Sequence, residues 1–342
     1  MMRLPLFEFR APRTVEEAAR ILDGEGTGVM ALAGGTDLLP NMKRRQQVPQ
    51  MLMSLRYIEE LTRVRLDTSA SRLGACVTLA DIAADPRFRN GFTALAQAAS
   101  LVATPQIRNM ATLGGNLCLD TRCNYYDQNY EWRKAIDFCL KKDGDTCWVA
   151  PGSPKCMAVS STDTAPALIA LGARVRLVSR SGEREVLLAD LYNNDGLDYI
   201  RRKPNEILAE VLLDSKHGWK STYWKLRRRG SFDFPVLSVA AAARISNSGV
   251  VEDTRIVIGS AASRPLVAQE AAKSLVGRPL NANSIAEVAS LAARIAKPLD
   301  NTDFDMSWRK RVTGEFVSCA LKELRGDDVR SERETFMRTR WL

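Results

Sequence analysis

GVMALAGGTDLLPNMK, residues 28–43, runs from a short apolar strand into a pair of glycines, a threonine and an aspartate. Paired glycines let backbone N–H groups approach a phosphate closely, and Thr36 adds a hydroxyl donor. Taken alone, a Gly-Gly pair after a strand is most often only a tight turn. A second pair stands in TPQIRNMATLGGN, residues 104–116, as Thr112-Leu113-Gly114-Gly115-Asn116. Two such loops in one chain can hold the two phosphates of a dinucleotide from both sides. Neither is the G-x-G-x-x-G that opens a Rossmann helix, so a nicotinamide-binding fold of that type is not expected.

Working outward from the first loop, Thr14 and Glu17 form a capping signature for a helix over VEEAARILDGEG (15–26), and residues 1–55 read as a β-α-β unit. LMSLRYIEELTRVRL (52–66) predicts a strand, a short helix and a strand. Thr78 and Asp81 cap LADIAADPRF (79–88), and FTALAQAASLVAT (92–104) reads as a helix. TAPALIALGARVRLV (164–178) is a helix running into a strand, and EILAEVLLD (206–214) is a further strand. From about residue 221 two apolar strands, VLSVAAAARI (236–245) and TRIVIGSAA (254–262), are separated by the turn SNSG. Helices follow at 266–277, 284–296 and 307–326, and the tail 327–342 is charged. This order predicts an α+β chain in three parts: 1–55, 56–220 with an inserted segment at 117–160, and 221–342.

Composition excludes several classes. The 342 residues are 45% hydrophobic and 26% charged, ordinary for a globular protein. No run of eighteen apolar residues exists, which argues against a membrane-spanning helix. The start, MMRLPLFEFRAPRT, has no apolar leader and implies a cytoplasmic protein. The net charge of +9 is spread over short clusters at 43–45, 201–203, 227–229 and 309–311. These form no stripe and no nucleic-acid motif, so nucleic acid is not expected as a partner. They fit either a face for an acidic partner or cofactor, or scattered solvated charge. The single histidine, His217, makes a Ser-His-Asp triad or a His-rich metal site improbable.

Five of the seven cysteines fall between 118 and 156, in a stretch rich in Cys, Tyr, Asp and Lys with little apolar periodicity. Cys123, Cys139, Cys147 and Cys156 are separated by 16, 8 and 9 positions, with Cys118 just upstream. Four thiolates in a polar insertion can bind zinc or a [4Fe–4S] cluster. The spacing lacks the C-x-x-C pairs of zinc ribbons and bacterial ferredoxins, and chemistry leaves the two metals open. Either would explain how so polar a segment stays folded. Lys141, Lys142 and Lys155 are candidates for attracting an acidic electron carrier, and Tyr125, Tyr126, Tyr130, Trp132 and Trp148 for packing or shielding. Cys76 and Cys319 lie in apolar contexts and read as core thiols.

AGGTDLLPNMK (33–43), TPQIRNMATLGGN (104–116), STDTAPALIALGARV (161–175) and RIVIGSAASRPLVAQEAAKSLVGRPL (255–280) together resemble the FAD-binding medium subunits of the xanthine dehydrogenase and carbon monoxide dehydrogenase family. The resemblance covers nearly the whole chain. It implies a PCMH-type FAD-binding fold of two α/β subdomains, followed by an α+β domain of the CO dehydrogenase flavoprotein type. It places Ala33, Gly34, Gly35, Thr36, Asp37 and Leu38 around the FAD pyrophosphate, with Thr112, Gly115 and Asn116 on the other side. Val102 and Ala103 would lie along the flavin or adenine, Asp163 would bond polar cofactor atoms, and Lys225 would stand at the isoalloxazine edge. From the residues alone, Asp163 is equally a helix N-cap and Lys225 a solvated strand lysine.

GGNLCLDTRCNYYDQ (114–128) with the three later cysteines is similar to the β subunits of the 4-hydroxybenzoyl-CoA reductase branch, which carry a [4Fe–4S] cluster in an inserted loop. That similarity implies Cys123, Cys139, Cys147 and Cys156 as ligands and leaves Cys118 spare near the flavin loop. It also implies partners: a molybdopterin large subunit, a [2Fe–2S] small subunit, a dimer of such heterotrimers, and a ferredoxin-like donor. Substrate chemistry would take place at molybdenum in another chain. Rival readings are an FAD subunit of an oxidising hydroxylase, a stand-alone flavin reductase, and a non-enzymatic zinc-binding interaction protein.

Overall fold

The computed structural model describes residues 3–67, 70–214, 218–230 and 232–338; His217 and the last four residues of the tail lie outside them. Among the described residues the strands form three sheets, and the chain is α+β.

The first sheet holds β1 (Glu8–Arg10), β2 (Val29–Leu32) and β3 (Met51–Ser54), all parallel in the order β1-β3-β2. β3 is buried along its whole length because it has a neighbour on each edge and a helix above. That helix, α1 (Val15–Glu25), is capped by Thr14 Oγ1, which accepts the Glu17 N–H at 3.1 Å. It buries Val15, Ala18, Ala19 and Leu22 against Val29, Met51 and Met53. α2 (Leu38–Lys43) follows the first glycine loop.

The second sheet is antiparallel, in the order β4-β5-β8-β6-β7, from β4 (Val64–Leu66), β5 (Ala70–Gly74), β6 (Arg174–Ser179), β7 (Gly182–Leu187) and β8 (Ile207–Asp214). Between β5 and β6 lie α3 (Leu79–Ala84), α4 (Pro86–Gly91), α5 (Thr93–Ser100), α6 (Pro105–Arg108), α7 (Leu113–Leu117), α8 (Tyr130–Ala135) and α9 (Thr164–Ala170). The helix expected over 79–88 is two helices. Pro86 forces Asp85 out of helical geometry (φ −71°, ψ 120°), and the Asp85 side chain then caps α4. The helix expected over 92–104 stops at Ser100, and Ala103, at φ 42°, turns the chain into the cavity described below.

The third sheet is antiparallel, β12-β11-β10-β9, from β9 (Trp219–Leu226), β10 (Leu237–Ile245), β11 (Val251–Gly259) and β12 (Leu266–Val267). The expected pair gains a strand on each edge, and residues 266–267 pair with β11 instead of starting a helix. Along β10, Val239, Ala241 and Ala243 pack under α10 (Gln269–Leu275), α11 (Ala282–Ile295) and α12 (Met306–Arg325), while Ala240 and Ala242 join the core of the second part. Small residues on both faces explain the alanine run: the sheet is covered on each side, by α10–α12 and by α5 with α9. α13 (Arg330–Arg338) closes this part, with Arg333 Nη2 donating to Glu323 Oε2 at 2.6 Å.

Candidate cofactor site

The two glycine loops touch backbone to backbone. A Cβ on Gly34 would lie 1.9 Å from the Met110 carbonyl oxygen, so only glycine admits this approach. Gly35 sits at φ 73° and needs glycine for its conformation. In the second loop, Thr112 Oγ1 accepts the Gly115 N–H at 3.1 Å, which leaves the hydroxyl proton free to donate outward. Gly114 is an anchor: its N–H donates to Ala75 O at 2.7 Å, and a Cβ there would strike Ala75 Cβ at 2.6 Å.

Between the loops opens a cavity of about 650 Å³, within the range of cofactor sites. Ala33 to Leu38, Val102, Ala103, Thr112, Gly115, Asn116 and Asp163 all line it. Asn116 Oδ1 accepts from Thr162 Oγ1 (2.7 Å), Thr164 N (3.0 Å) and Thr164 Oγ1 (2.6 Å), which fixes the amide and turns its N–H₂ away from these partners. Asp37 faces a cation, pairing with Arg122 and accepting from Asn41 Nδ2 at 3.0 Å.

Asp163 precedes α9 but its carboxylate caps nothing; Thr162 Oγ1 and Asn116 Oδ1 take the first N–H groups instead. Asp163 Oδ1 accepts from Tyr223 Oη at 2.7 Å, and Oδ2 meets Lys225 Nζ at 3.0 Å. Alternation along β9 puts Tyr223 and Lys225 on one face. Lys225 Nζ also donates to Leu101 O at 3.0 Å and does not line the cavity. Burial pushes the Asp163 carboxyl up and the Lys225 ammonium down, and their mutual contact works against both shifts. Lys225 thus stands behind Asp163, not as a solvated strand lysine, and acts on the cavity through that carboxylate.

Among the lining residues that escaped the sequence reading are Arg122, Phe232, Phe234 and Cys76. Phe232 and Phe234 are exposed rings on a loop, where no periodicity marks them, and the Arg122 guanidinium lies 4.9 Å from the Phe234 ring centre. Cys76, expected in the core, is buried and also reaches the cavity wall; burial pushes its thiol up to about 12.

Residues 5–213 match the family described as the FAD binding domain in molybdopterin dehydrogenase, and residues 221–324 match the CO dehydrogenase flavoprotein C-terminal domain. The chain belongs to the FAD-binding medium subunits of the molybdenum hydroxylase family. It is therefore an FAD-binding oxidoreductase subunit. The nicotinate dehydrogenase FAD-subunit of Eubacterium barkeri is 30% identical over 279 residues, 80% of this chain and 81% of its own length. The aldehyde oxidoreductase FAD-binding subunit PaoB of Escherichia coli K12 is 34% identical over 248 residues, 70% of this chain and 76% of its own. The solved carbon monoxide dehydrogenase from Hydrogenophaga pseudoflava superposes with a TM-score of 0.76 at 26% identity, covering 94% of this chain and 98% of that one. No described helix is long and apolar enough to cross a membrane.

The medium subunit's insertion has one short helix, α8, and only isolated bridges. Cys123, Cys139, Cys147 and Cys156 are all buried free thiols. Cys123, Cys139 and Cys156 share a small apolar cluster with Tyr126 and Ala158. Burial pushes Cys123 up to about 12 and Cys156 to about 11, and each also feels the charge of Cys139 and Cys147. Among the described residues, however, no group of three or more His, Cys, Asp or Glu is arranged to hold a metal ion. Lys141 is not available to an acidic carrier: its ammonium is buried and bonds Asp120 Oδ1 (2.8 Å), Thr121 Oγ1 (2.7 Å) and Gly196 O (2.6 Å). Lys142 pairs with Asp143 at 3.3 Å, and Lys155 is exposed. Of the aromatics, Tyr126 is buried among the thiols, while Tyr130, Trp132 and Trp148 are exposed.

Proposed function

We propose that this medium subunit is the electron relay of a complex of the 4-hydroxybenzoyl-CoA reductase kind, with FAD between the glycine loops and a [4Fe–4S] cluster on Cys123, Cys139, Cys147 and Cys156. The observation that carries this reading is that the insertion buries four unbridged thiols, three of them, Cys123, Cys139 and Cys156, in one small cluster. A segment of that kind needs a bound group to hold it. Four cysteine thiolates suit zinc and a four-iron cluster alike, and it is the resemblance of GGNLCLDTRCNYYDQ to the reductase branch that favours the cluster. A four-iron cluster takes one thiolate at each corner and spreads them further apart.

FAD exchanges two electrons while iron–sulfur clusters exchange one, so it supplies the step between the two kinds of carrier. The chain's own residues bind and orient. Thr36 and the N–H groups of Gly34 and Gly35 would hold the pyrophosphate from one loop, and the Thr112 hydroxyl, itself held by the Gly115 N–H, from the other. Asp163, backed by Lys225 and Tyr223, offers a fixed acceptor to the ring or ribose side. With both groups bound, the cysteine insertion would receive electrons from a reduced ferredoxin-like carrier and the FAD site would hand them on towards a [2Fe–2S] small subunit and a molybdopterin large subunit, in a dimerised heterotrimer in the cytoplasm. There two electrons and two protons would replace the phenolic hydroxyl of an aromatic CoA thioester with hydrogen, the oxygen leaving as water.

A second reading has specific support. The relatives at 30% and 34% identity carry the names of a dehydrogenase and an aldehyde oxidoreductase, which points to outward electron flow. Rapid mixing of the anaerobic complex separates the two. Bleaching of the iron–sulfur and flavin bands by reduced ferredoxin, reversed by 4-hydroxybenzoyl-CoA, supports inward flow. Bleaching by an aldehyde or N-heterocycle with no effect of the thioester would establish the oxidising direction instead.

A further inference from the structure

Arg122 joins the flavin loop to the cysteine insertion, with Arg44, just past α2, reaching the same Asp127 carboxylate at the longer distance of 3.8 Å. Arg122 stands at the insertion's neck, where its N–H donates to Val159 O at 2.8 Å and Val159 N–H returns to Arg122 O at 2.7 Å. Its side chain leaves the insertion: Nη2 pairs with Asp37 in the flavin loop, and Nη1 donates to Asn41 Oδ1 at 3.3 Å on α2. The same Nη1 donates to Asp127 Oδ1 at 3.0 Å, and Asp127 Oδ2 accepts the Cys123 N–H at 3.2 Å. A continuous path thus runs Asp37–Arg122–Asp127–Cys123. Gln46, just past α2, adds a second strap, its Nε2 donating to Tyr126 O at 2.6 Å. Arg122 is 7% exposed, lines the cavity, and its Nε is buried without a partner. The Arg122 cation is the buried member of this path, so drawing the insertion away from the loop strips it of one of its two carboxylate partners, a loss that Arg44, also near Asp127, offsets only for Asp127. The loop and the insertion therefore order together.

We propose that Arg122 is a positioning residue that couples the cysteine site to FAD binding, so that each is held more firmly when the other is formed. The proposal rests on the placement of FAD against residues 33–38. By reciprocity, FAD must protect the thiol site as strongly as an ordered thiol site favours FAD.

The test compares full-length protein in its complex, stripped of FAD and reloaded. Two rates are read: iron loss to a ferrous chelator, and labelling of Cys123, Cys139, Cys147 and Cys156 by an alkylating reagent, mapped by mass spectrometry. FAD should slow both in the wild type by about tenfold, within the usual span of coupling between sites. In Arg122→Gln, and independently in Asp127→Asn, the ratio with and without FAD should fall to about one, while Arg122→Lys keeps part of it. A merely structural role would change both states alike and leave the ratio intact. Variants that FAD protects as well as it protects the wild type overturn the proposal. So does a wild type that takes up FAD yet labels at an unchanged rate, a result that leaves the flavin reading standing. A wild type without iron removes the cluster reading, and the labelling ratio still decides the coupling.

Discussion

At Gly34 a single methyl group separates tolerance from collapse. With its Cβ 1.9 Å from a backbone oxygen, Gly34→Ala must push the two loops apart, and we expect a loss of about 3 kcal/mol or more in denaturant unfolding. Gly115→Ala meets only the Thr112 hydroxyl, at 2.9 Å. It should cost under about 1 kcal/mol of stability yet weaken FAD about tenfold, measured by flavin fluorescence, because it displaces the Thr112 hydroxyl proposed to hold the phosphates. Glu206 gives a pH signature. Burial alone would raise its carboxyl, but the paired bonds from Arg184 at 2.8 and 2.9 Å and the Lys203 N–H bring it below the ordinary glutamate range. A depressed carboxylate contributes stability above its unfolded pKa and loses it as pH falls through the folded one. Glu206→Gln should therefore flatten the acid side of a stability-versus-pH curve below about pH 4.3 and lower the plateau above it. These loops were legible in the sequence because glycine pairs flanked by Thr and Asn announce close backbone approach. Arg122 and the Phe232–Phe234 loop were not, since their roles arise only when segments distant in sequence meet.

Among the elements, the alternation along β10 was readable as an apolar run, but not that both faces of its sheet would be covered; α5 and α9 come from 140 to 70 residues upstream. The short edge strand β12 is set by pairing with β11, which local propensity cannot anticipate. The cysteine insertion is the opposite case. Its composition predicts a segment held together by something other than a hydrophobic core, and the fold instead gives it a small core of its own around three of the thiols. Cys139→Ala should abolish bound iron and loosen residues 117–160, seen as faster backbone hydrogen exchange there, while FAD stays bound with an affinity lowered by no more than about tenfold. Iron retained in that variant would remove Cys139 from the ligand set.

Across the whole molecule, the cavity proposed for FAD is walled by strands of the first two sheets and by the loop between β9 and β10, and the thiol-bearing insertion is strapped to it through Arg122. The family is settled by both halves of the chain, and the flavin follows from it. The central claim beyond the family is that this subunit carries its own iron–sulfur cluster. It is tested most directly by purifying the native complex without oxygen and measuring iron, zinc and released flavin per chain. One flavin and about four irons beyond those of the partner's [2Fe–2S] centres are expected, with no stoichiometric zinc. Flavin with zinc, or with no metal beyond the partners' share, would contradict it and leave the insertion a structural appendage.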